Sequence, residues 1–288
     1  MKARGVWAAL TWLTLLGLTA AGPVAAPGMA RGAEMSLAQA LGPAHAEQRD
    51  WASPGGSESV RLSSATTPLG PDEANRNHNI AKAASLIDGI TIGPGEEFSF
   101  NRAVGERGFD QGYLPARVIA DGRSEAGVAG GICQLSSTVY HAALLAGMSI
   151  TERHPHSRPV QYTAPGLDAT VAWGTLDLRW VNTRDGPVVI RCSLKGPRLV
   201  VVFEGRPPSP EIEVSAEVVE IIPPRPMAPP DAAGRSTRPP SPDARRLASP
   251  GAPGYRVEVW RTYTEADGSR VRELISRDLY EPINAVVQ

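Results

Sequence analysis

The sequence has little cysteine and almost no net charge. Its two cysteines, Cys133 and Cys192, allow at most one intramolecular disulfide among 288 residues. Lysine plus arginine (29) nearly balance aspartate plus glutamate (30), which leaves a formal net charge of -1. A chain with this balance has no overall electrostatic field that would attract nucleic acid or an anionic surface. We therefore expect no nucleic-acid partner.

The N-terminus holds an apolar run between basic and small residues. Lys2 and Arg4 precede the run over residues 6–21, and Pro23 follows it. This order is typical of an export signal. We predict a signal peptide or an N-terminal membrane anchor over residues 1–30, and an exported protein at the cell envelope. Because no cysteine follows the run, we do not expect lipoprotein processing.

Two later segments have compositions that do not build a core. Residues 31–70 are rich in Ala, Gly, Ser and Pro without sustained periodicity, which predicts a flexible spacer. Residues 223–254 are rich in proline, which predicts an extended linker or loop. The main domain is then expected over residues 71–222, with a β-hairpin tail over residues 255–288 that packs on it.

Periodicity in the main domain and in the C-terminal tail favours an α+β fold. Apolar residues at helical spacing predict helices in the N-terminal half, one of them over about residues 134–146. Alternating residues in the second half predict strands, and Asp267-Gly268 predicts the turn of the C-terminal β-hairpin. We therefore predict helices mainly from the N-terminal half, packed on an antiparallel or mixed β-sheet.

The stretch over residues 129–138 combines a glycine pair, a cysteine and a run of hydroxyl residues. We interpret it as a loop that delivers Cys133 to the start of a helix. A helix start exposes unpaired N–H groups and a positive dipole end, and both stabilise a thiolate. The alternatives are a buried, inert cysteine and a disulfide with Cys192.

A base and an acid follow the thiol along the chain. His154 and His156 lie on an extended segment and Asp168 on a predicted strand. Thiol catalysis needs a base beside the sulfur and a third group that orients the base. The backbone N–H of Cys133 and the side chain of Gln134 are candidate oxyanion donors. Structural roles are the alternative for each residue. A metal site built from His154, His156 and Asp168, with Cys133 as a fourth ligand, is a further alternative, but one histidine pair is a weak metal signal, so we predict no metal and no cofactor.

Spaced motifs across residues 75–195 resemble those of the VanW family, in the same order. They are Asn79-Ile80, Pro94-Gly95 with Phe98-Ser99-Phe100-Asn101, Gly112-Tyr113, Gly130-Gly131-Ile132-Cys133-Gln134 with Ser136-Ser137-Thr138, Glu152-Arg153 with His156-Ser157, and Asp168-Ala169-Thr170-Val171. The family is named after an accessory protein of vancomycin-resistance clusters, and its members are typically bacterial envelope proteins. It commonly has three glycines before Ile-Cys-Gln. Here the first is Ala129, so we predict that this position does not require a positive φ.

The resemblance favours one histidine and completes the predicted site. His156 lies in a matching motif, which makes it the preferred base. The predicted catalytic residues are Cys133, His156, Asp168 and Gln134, with His154 as the alternative base. The predicted substrate-binding residues are Gly130, Gly131, Ser136, Arg153 and Tyr113.

Export, the thiol and its partners together predict two functions of different classes. The first is a thiol peptidase or transpeptidase-like enzyme, a hydrolase or acyl transferase acting on peptidoglycan peptides. The second is a non-catalytic envelope module that binds peptidoglycan or an envelope partner. Both have cell-wall peptide as the expected partner, and membrane anchoring would use the N-terminal apolar segment.

Overall fold

The described chain is built mostly of antiparallel sheet around a few helices. The computed structural model describes residues 59–71, 73–120, 123–207, 211–229, 239, 247–265 and 267–287. Within these ranges the helices are α1 (Ala74–Ile87), α2 (Phe100–Val104) and α3 (Ile132–Leu145). The strands are β1 (Val60–Pro68), β2 (Thr91–Ile92), β3 (Glu97–Ser99), β4 (Pro115–Ala120), β5 (Arg123–Val128), β6 (Ser149–Glu152), β7 (Arg179–Val181), β8 (Val188–Leu194), β9 (Arg198–Gly205), β10 (Ile212–Ile222), β11 (Pro226–Met227), β12 (Leu247–Ser249), β13 (Gly254–Thr264), β14 (Arg270–Tyr280) and β15 (Ala285–Val287).

Strand residues clearly outnumber helical residues, so the α+β prediction is supported for its sheet, while the placement of helices mainly in the N-terminal half is not firmly supported. The predicted antiparallel pairing is confirmed, with the short β11–β15 pair as a parallel exception. Sheet order is β1-β9-β8-β2, β3-β7-β6, β4-β5, β10-β13-β14 and β11-β15-β12. The predicted signal or anchor over residues 1–30 lies outside the described residues. None of the helices in the described ranges is long and apolar enough to cross a membrane.

The last part of the predicted spacer is a core strand. β1 pairs antiparallel with β9, and its Leu62 and Ala65 are buried. The inward positions of β1 also include Ser63 and Thr67, whose hydroxyls contact helix α3. Ser63 Oγ donates to Ala142 O at 2.8 Å, and Thr67 Oγ1 lies 2.9 Å from Thr138 Oγ1. Small hydroxyl residues on the buried face removed the apolar alternation by which a strand is recognised from sequence.

Helix α3 is the central helix and is buried almost all round, as an apolar helix packed on several sides must be. It packs against β1, β9 and α1. The helix begins at Ile132, two residues earlier than predicted, and Gly147 with φ +80° follows its end. Its first turn therefore contains Cys133, which is one of the few half-exposed residues of the helix.

The C-terminal part forms two small sheets. β13 and β14 pair across a turn that contains Gly268, and β10 pairs with the other edge of β13. The two ends of the predicted proline-rich linker, β11 and β12, flank β15 in a sheet of their own, so these ends are not extended linker. Tyr280, the last residue of β14, is fully buried and reaches the candidate site.

Candidate functional site

The loop before α3 has a left-handed backbone at two positions. Gly131, the N-cap residue, has φ +109°, and Ala129 has φ +61°. The prediction that Ala129 would not require a positive φ was wrong, because the turn into α3 needs this conformation whatever residue occupies it. A left-handed alanine costs about 1–2 kcal/mol, so tertiary packing must hold the loop in place.

The two glycines of the motif are packed against neighbouring backbone and side chains. A Cβ added to Gly130 would lie 2.4 Å from Arg117 O, and one added to Gly131 would lie 2.9 Å from Arg76 Cγ. Both glycines are buried. They allow α1 and β4 to approach the helix start closely, whereas the sequence had suggested direct substrate contact.

Cys133 is a free, partly buried cysteine in the first turn of α3. Its Sγ lies 3.7 Å from Val171 O. In the described part of the chain its backbone N–H has no hydrogen-bond partner, while that of Gln134 donates to Gly131 O at 2.9 Å. Cys192 is also free and is buried in β8, so the alternative of a disulfide between the two cysteines is not realised.

His156 and Asp168 form a buried pair beside this thiol. His156 Nδ1 lies 2.6 Å from Asp168 Oδ2, and the backbone N–H of His156 donates to the same oxygen at 2.7 Å. Because Asp168 occupies Nδ1, the Nε2 atom of the ring is left for the thiol. The structure therefore brings Cys133, His156 and Asp168 together in the order that the sequence suggested.

The pKa values of the three groups are coupled. Burial opposes ionisation of Cys133, but a hydrogen bond with His156 and the imidazolium charge bring the net pKa of the thiol below its usual range. Burial likewise disfavours charge on His156, yet hydrogen bonds with Asp168 and Cys133 raise its pKa to about 9. Burial would raise the pKa of Asp168, and its bonds to His156 and Arg153 lower it instead. These directions favour a thiolate–imidazolium pair over a neutral pair at pH 7.

Asp168 is held by residues from two distant parts of the chain. Arg153 Nε donates to Asp168 O at 2.6 Å, and its Nη2 lies 3.2 Å from Oδ1. The Nη1 atom of the same arginine donates to Asp278 Oδ2 at 2.6 Å. Tyr280 donates its hydroxyl proton to Asp168 Oδ1 and accepts the Gly166 N–H at 2.6 Å. Arg153, which was predicted to bind substrate, is buried and fixes the carboxylate.

The hydroxyls after Cys133 tie the helix start to the segment that carries Asp168. Ser136 Oγ donates to Ala169 O at 2.7 Å. Ser137 Oγ donates to Cys133 O at 2.6 Å and accepts the Ala169 N–H at 2.9 Å. Ser136, which was predicted to contact substrate, is fully buried, and its hydroxyl binds the backbone carbonyl of Ala169.

Two other predicted site residues, Gln134 and His154, have different partners, and a third, Tyr113, is buried. The Gln134 amide donates to Pro68 O at 2.7 Å and accepts from Arg76, so it is already occupied and does not supply the predicted oxyanion donor. His154 Nε2 lies 3.0 Å from Glu152 Oε1, a pairing separate from the thiol. Tyr113 is buried, which raises its pKa to about 12.

No set of three or more His, Cys, Asp or Glu side chains within the described ranges is arranged to hold a metal ion. The alternative metal site, built from His154, His156, Asp168 and Cys133, therefore lacks the required grouping. His154 Nε2 lies instead 3.0 Å from Glu152 Oε1.

Arg107 and Tyr162 lie near the thiol, Trp173 lies beside Arg107, and the sequence did not indicate a role for Arg107 at the site. Arg107 and Tyr162 both interact electrostatically with Cys133. The Arg107 guanidinium lies over the Trp173 ring, 5.9 Å from its centroid. These residues come from separate loops, and no local pattern in the sequence connects them to Cys133.

The Tyr280 hydroxyl should contribute measurably to stability. In Tyr280→Phe, the carboxylate of Asp168 loses a donor and the Gly166 N–H loses its acceptor inside the protein. We expect the free energy of unfolding to fall by about 1–3 kcal/mol, the usual cost of buried groups left unpaired. Urea denaturation followed by tryptophan fluorescence would measure it. Tyr255→Phe, opposite Tyr280 on β13, is the control and should change stability little. Equal effects of the two substitutions would contradict this account.

Comparisons with known proteins agree with the motifs. The family model described as VanW like protein matches residues 75–203. Uncharacterized protein YoaR of Bacillus subtilis (strain 168) is 40% identical over 143 residues, which are 50% of this chain and 47% of that protein. Vancomycin B-type resistance protein VanW of Enterococcus faecalis (strain ATCC 700802 / V583) is 27% identical over 156 residues, 52% of this chain and 57% of that protein. The chain spans about half the length of both relatives.

Among solved structures, the crystal structure of HP0197-G5 aligns with 27% of this chain and 95% of its own length, at 22% identity and a TM-score of 0.16.

The matched family segment contains Cys133, His156 and Asp168, together with the helix that carries the thiol. This chain therefore has a VanW-like domain over residues 75–203, and its predicted resemblance to the VanW family is confirmed.

Proposed function

We propose that this chain is an exported cell-envelope protein whose VanW-like domain is a cysteine-dependent hydrolase or acyl transferase acting on peptidoglycan peptides. One observation carries the proposal: a partly buried thiol in the first turn of a helix interacts electrostatically with a histidine, and Nδ1 of this histidine is held by a buried aspartate. The name of the Enterococcus relative supports a cell-wall context, because vancomycin resistance concerns the cell wall.

The geometry supports a two-step acyl transfer. The Cys133 thiolate attacks the carbonyl carbon of a peptide bond and forms a C–S bond. The unpaired Cys133 N–H, at the positive end of α3, is placed to stabilise the oxyanion. The C–N bond then breaks, and His156 Nε2 gives its proton to the leaving nitrogen. A thioester remains on Cys133.

The second step restores the enzyme. Neutral His156 takes a proton from water or from an acceptor amine, which attacks the thioester carbon. The C–S bond breaks, and the acid or the new amide leaves. Asp168 keeps the imidazole oriented through both steps and does not itself change protonation. Water as acceptor gives a hydrolase, and an amine gives a transpeptidase.

The proposal predicts that turnover depends on one of the two cysteines. Purified full-length protein would be incubated with muropeptides prepared from bacterial cell wall, and products followed by mass spectrometry. Cys133→Ala should lose turnover by at least about 1000-fold, the scale expected when a nucleophile is removed. Cys192→Ala, at the buried thiol in β8, is the control and should retain turnover.

The competing function is a non-catalytic envelope module. It is favoured by the number of bonds that Arg153 and Asp168 make, since a buried ion network can exist for packing alone. Under this function the wild type and Cys133→Ala would both bind cell-wall material, and neither would release products. Turnover that persists in Cys133→Ala would contradict thiol catalysis directly.

A further inference from the structure

Arg107 is a half-buried cation without a carboxylate partner. Its Nη1 atom donates to Asn101 Oδ1 at 2.7 Å and to Gly105 O at 3.0 Å, and both acceptors are neutral. In the described part of the chain no acidic side chain forms an ion pair with it. Burial lowers its pKa, and the charges of Cys133 and Asp177 offset this only in part. None of these charges forms an ion pair with Arg107, and a partly desolvated guanidinium with only neutral acceptors is well suited to bind an anionic ligand.

The other cations near the thiol already have partners. His156 is paired with Asp168 at 2.6 Å. Arg76 lies 3.4 Å from Glu73 and donates to the Gln134 amide. Of these three cations, Arg107 is the one for which the described part of the chain provides no carboxylate partner, so its guanidinium has donors left for a ligand that reaches Cys133.

An exposed aromatic ring lies next to this guanidinium. Trp173 is 50% exposed, and Arg107 lies 5.9 Å from its ring centroid. Trp173 follows Val171 by two residues, and the Val171 carbonyl oxygen lies 3.7 Å from Cys133 Sγ, which places the pair on the segment beside the thiol. A planar guanidinium binds a carboxylate through two parallel hydrogen bonds, and an indole beside it offers an apolar surface to the attached carbon chain. A cation and an aromatic ring side by side suit a ligand with an anionic end and an apolar body.

We infer that Arg107 and Trp173 form a subsite for a carboxylate of the substrate, close to the carbonyl that Cys133 attacks. This inference rests on the proposed function and narrows it to acyl peptides with a free carboxylate near the scissile bond. Arg107 binds the carboxylate, and Trp173 packs against the adjoining side chain or backbone. Peptides with an amide at that place are poor substrates.

Two alkylating reagents that differ only in charge test the subsite. Iodoacetate carries a carboxylate and iodoacetamide a neutral amide; with each, the thiolate forms a C–S bond and iodide leaves. The rates at Cys133 would be measured by peptide mass spectrometry on the folded full-length protein. The ratio of the iodoacetate rate to the iodoacetamide rate, measured in urea, gives the baseline for a thiol in an unfolded chain. In the folded wild type, we expect the iodoacetate-to-iodoacetamide ratio to exceed this baseline by about tenfold or more.

Variants of two arginines separate a local subsite from overall charge. Arg107→Gln should lower the ratio about tenfold, and Arg107→Lys, which keeps the charge, should retain part of it. Arg102→Gln removes the same charge from exposed Arg102 on α2, which donates to Glu97 O, and should leave the ratio unchanged. Circular dichroism would confirm that each variant is folded.

The outcomes distinguish this inference from the proposed function. If Arg107→Gln slows both reagents equally, Arg107 acts only on the thiolate and the subsite is refuted, while thiol catalysis stands. A fall in the ratio with Arg102→Gln as large as with Arg107→Gln would also refute it. If folded wild-type Cys133 reacts with neither reagent, the proposed function fails and the subsite fails with it.

Discussion

His156→Asn should slow alkylation of Cys133 by iodoacetamide about 100-fold at pH 7. In the wild type, burial raises the thiol pKa, but the hydrogen bond and charge of His156 more than compensate. Asparagine removes the charge, so burial is left to raise the pKa and few molecules carry a thiolate at neutral pH. The measurement is the rate of alkylation of Cys133, read by mass spectrometry over pH 5–10.

The pH dependence gives the sign of the effect. A thiol pKa below its ordinary value keeps the wild-type reaction fast as the pH falls below 9, because the imidazolium, with a pKa of about 9, remains charged there. In His156→Asn, at pH values below the raised thiol pKa, the alkylation rate should fall about tenfold for each pH unit. The two curves should approach each other above pH 9, where the wild-type imidazole becomes neutral.

A second histidine provides the matched control. His154 is two residues away and pairs with Glu152, so His154→Asn should leave the alkylation rate within about twofold of wild type. An equal loss in both variants, or none in His156→Asn, would show that the charge of His156 does not sustain the thiolate.

Arg153→Met should lower the free energy of unfolding by about 3–5 kcal/mol, the range expected when one partner of a buried ion pair is removed. The side chain of Arg153 is 4% exposed, and it bonds Asp168 and Asp278, which are equally inaccessible. Methionine would leave buried Asp278 without the arginine and Asp168 with His156 as its remaining cationic partner. Urea denaturation followed by tryptophan fluorescence measures the change.

An exposed ion pair on the β10-β13-β14 sheet supplies the comparison. Arg256 and Glu220 have side chains that are 55% and 54% exposed, at 2.7 Å from each other. Arg256→Met should cost no more than about 1 kcal/mol, as is usual for surface ion pairs. If Arg153→Met were as mild as Arg256→Met, the buried network would not be a main source of stability.

The thiol, the histidine and the acid of the candidate catalytic site could be predicted from the sequence alone. A thiol at a helix start, a histidine and an acid in the required order could be identified because each role demands a particular residue type. The structure brings Cys133, His156 and Asp168 together, and the helix begins within two residues of the predicted position.

Contacts between distant parts of the chain account for what the sequence did not reveal. Tyr280 bonds Asp168 across 112 positions, and no local pattern signals such a pair. Gln134 could not be predicted to be occupied, because its partners Thr67 and Pro68 belong to a strand whose inward face is partly hydroxyl. Ala129 adopts a conformation that glycine usually supplies, since packing overrode the preference of the residue.

The buried bonds of Asp168 also determine where this protein can be divided. A fragment cut at residues 75 and 203 would match the family model and still contain the thiol, the histidine and the aspartate. It would lack β1, so β9 would lose a neighbouring strand, and it would lack Asp278 and Tyr280, so Arg153 and Asp168 would lose partners. A fragment that keeps all of these contacts therefore extends from β1 to the end of β14, beyond both limits of the recognised family segment.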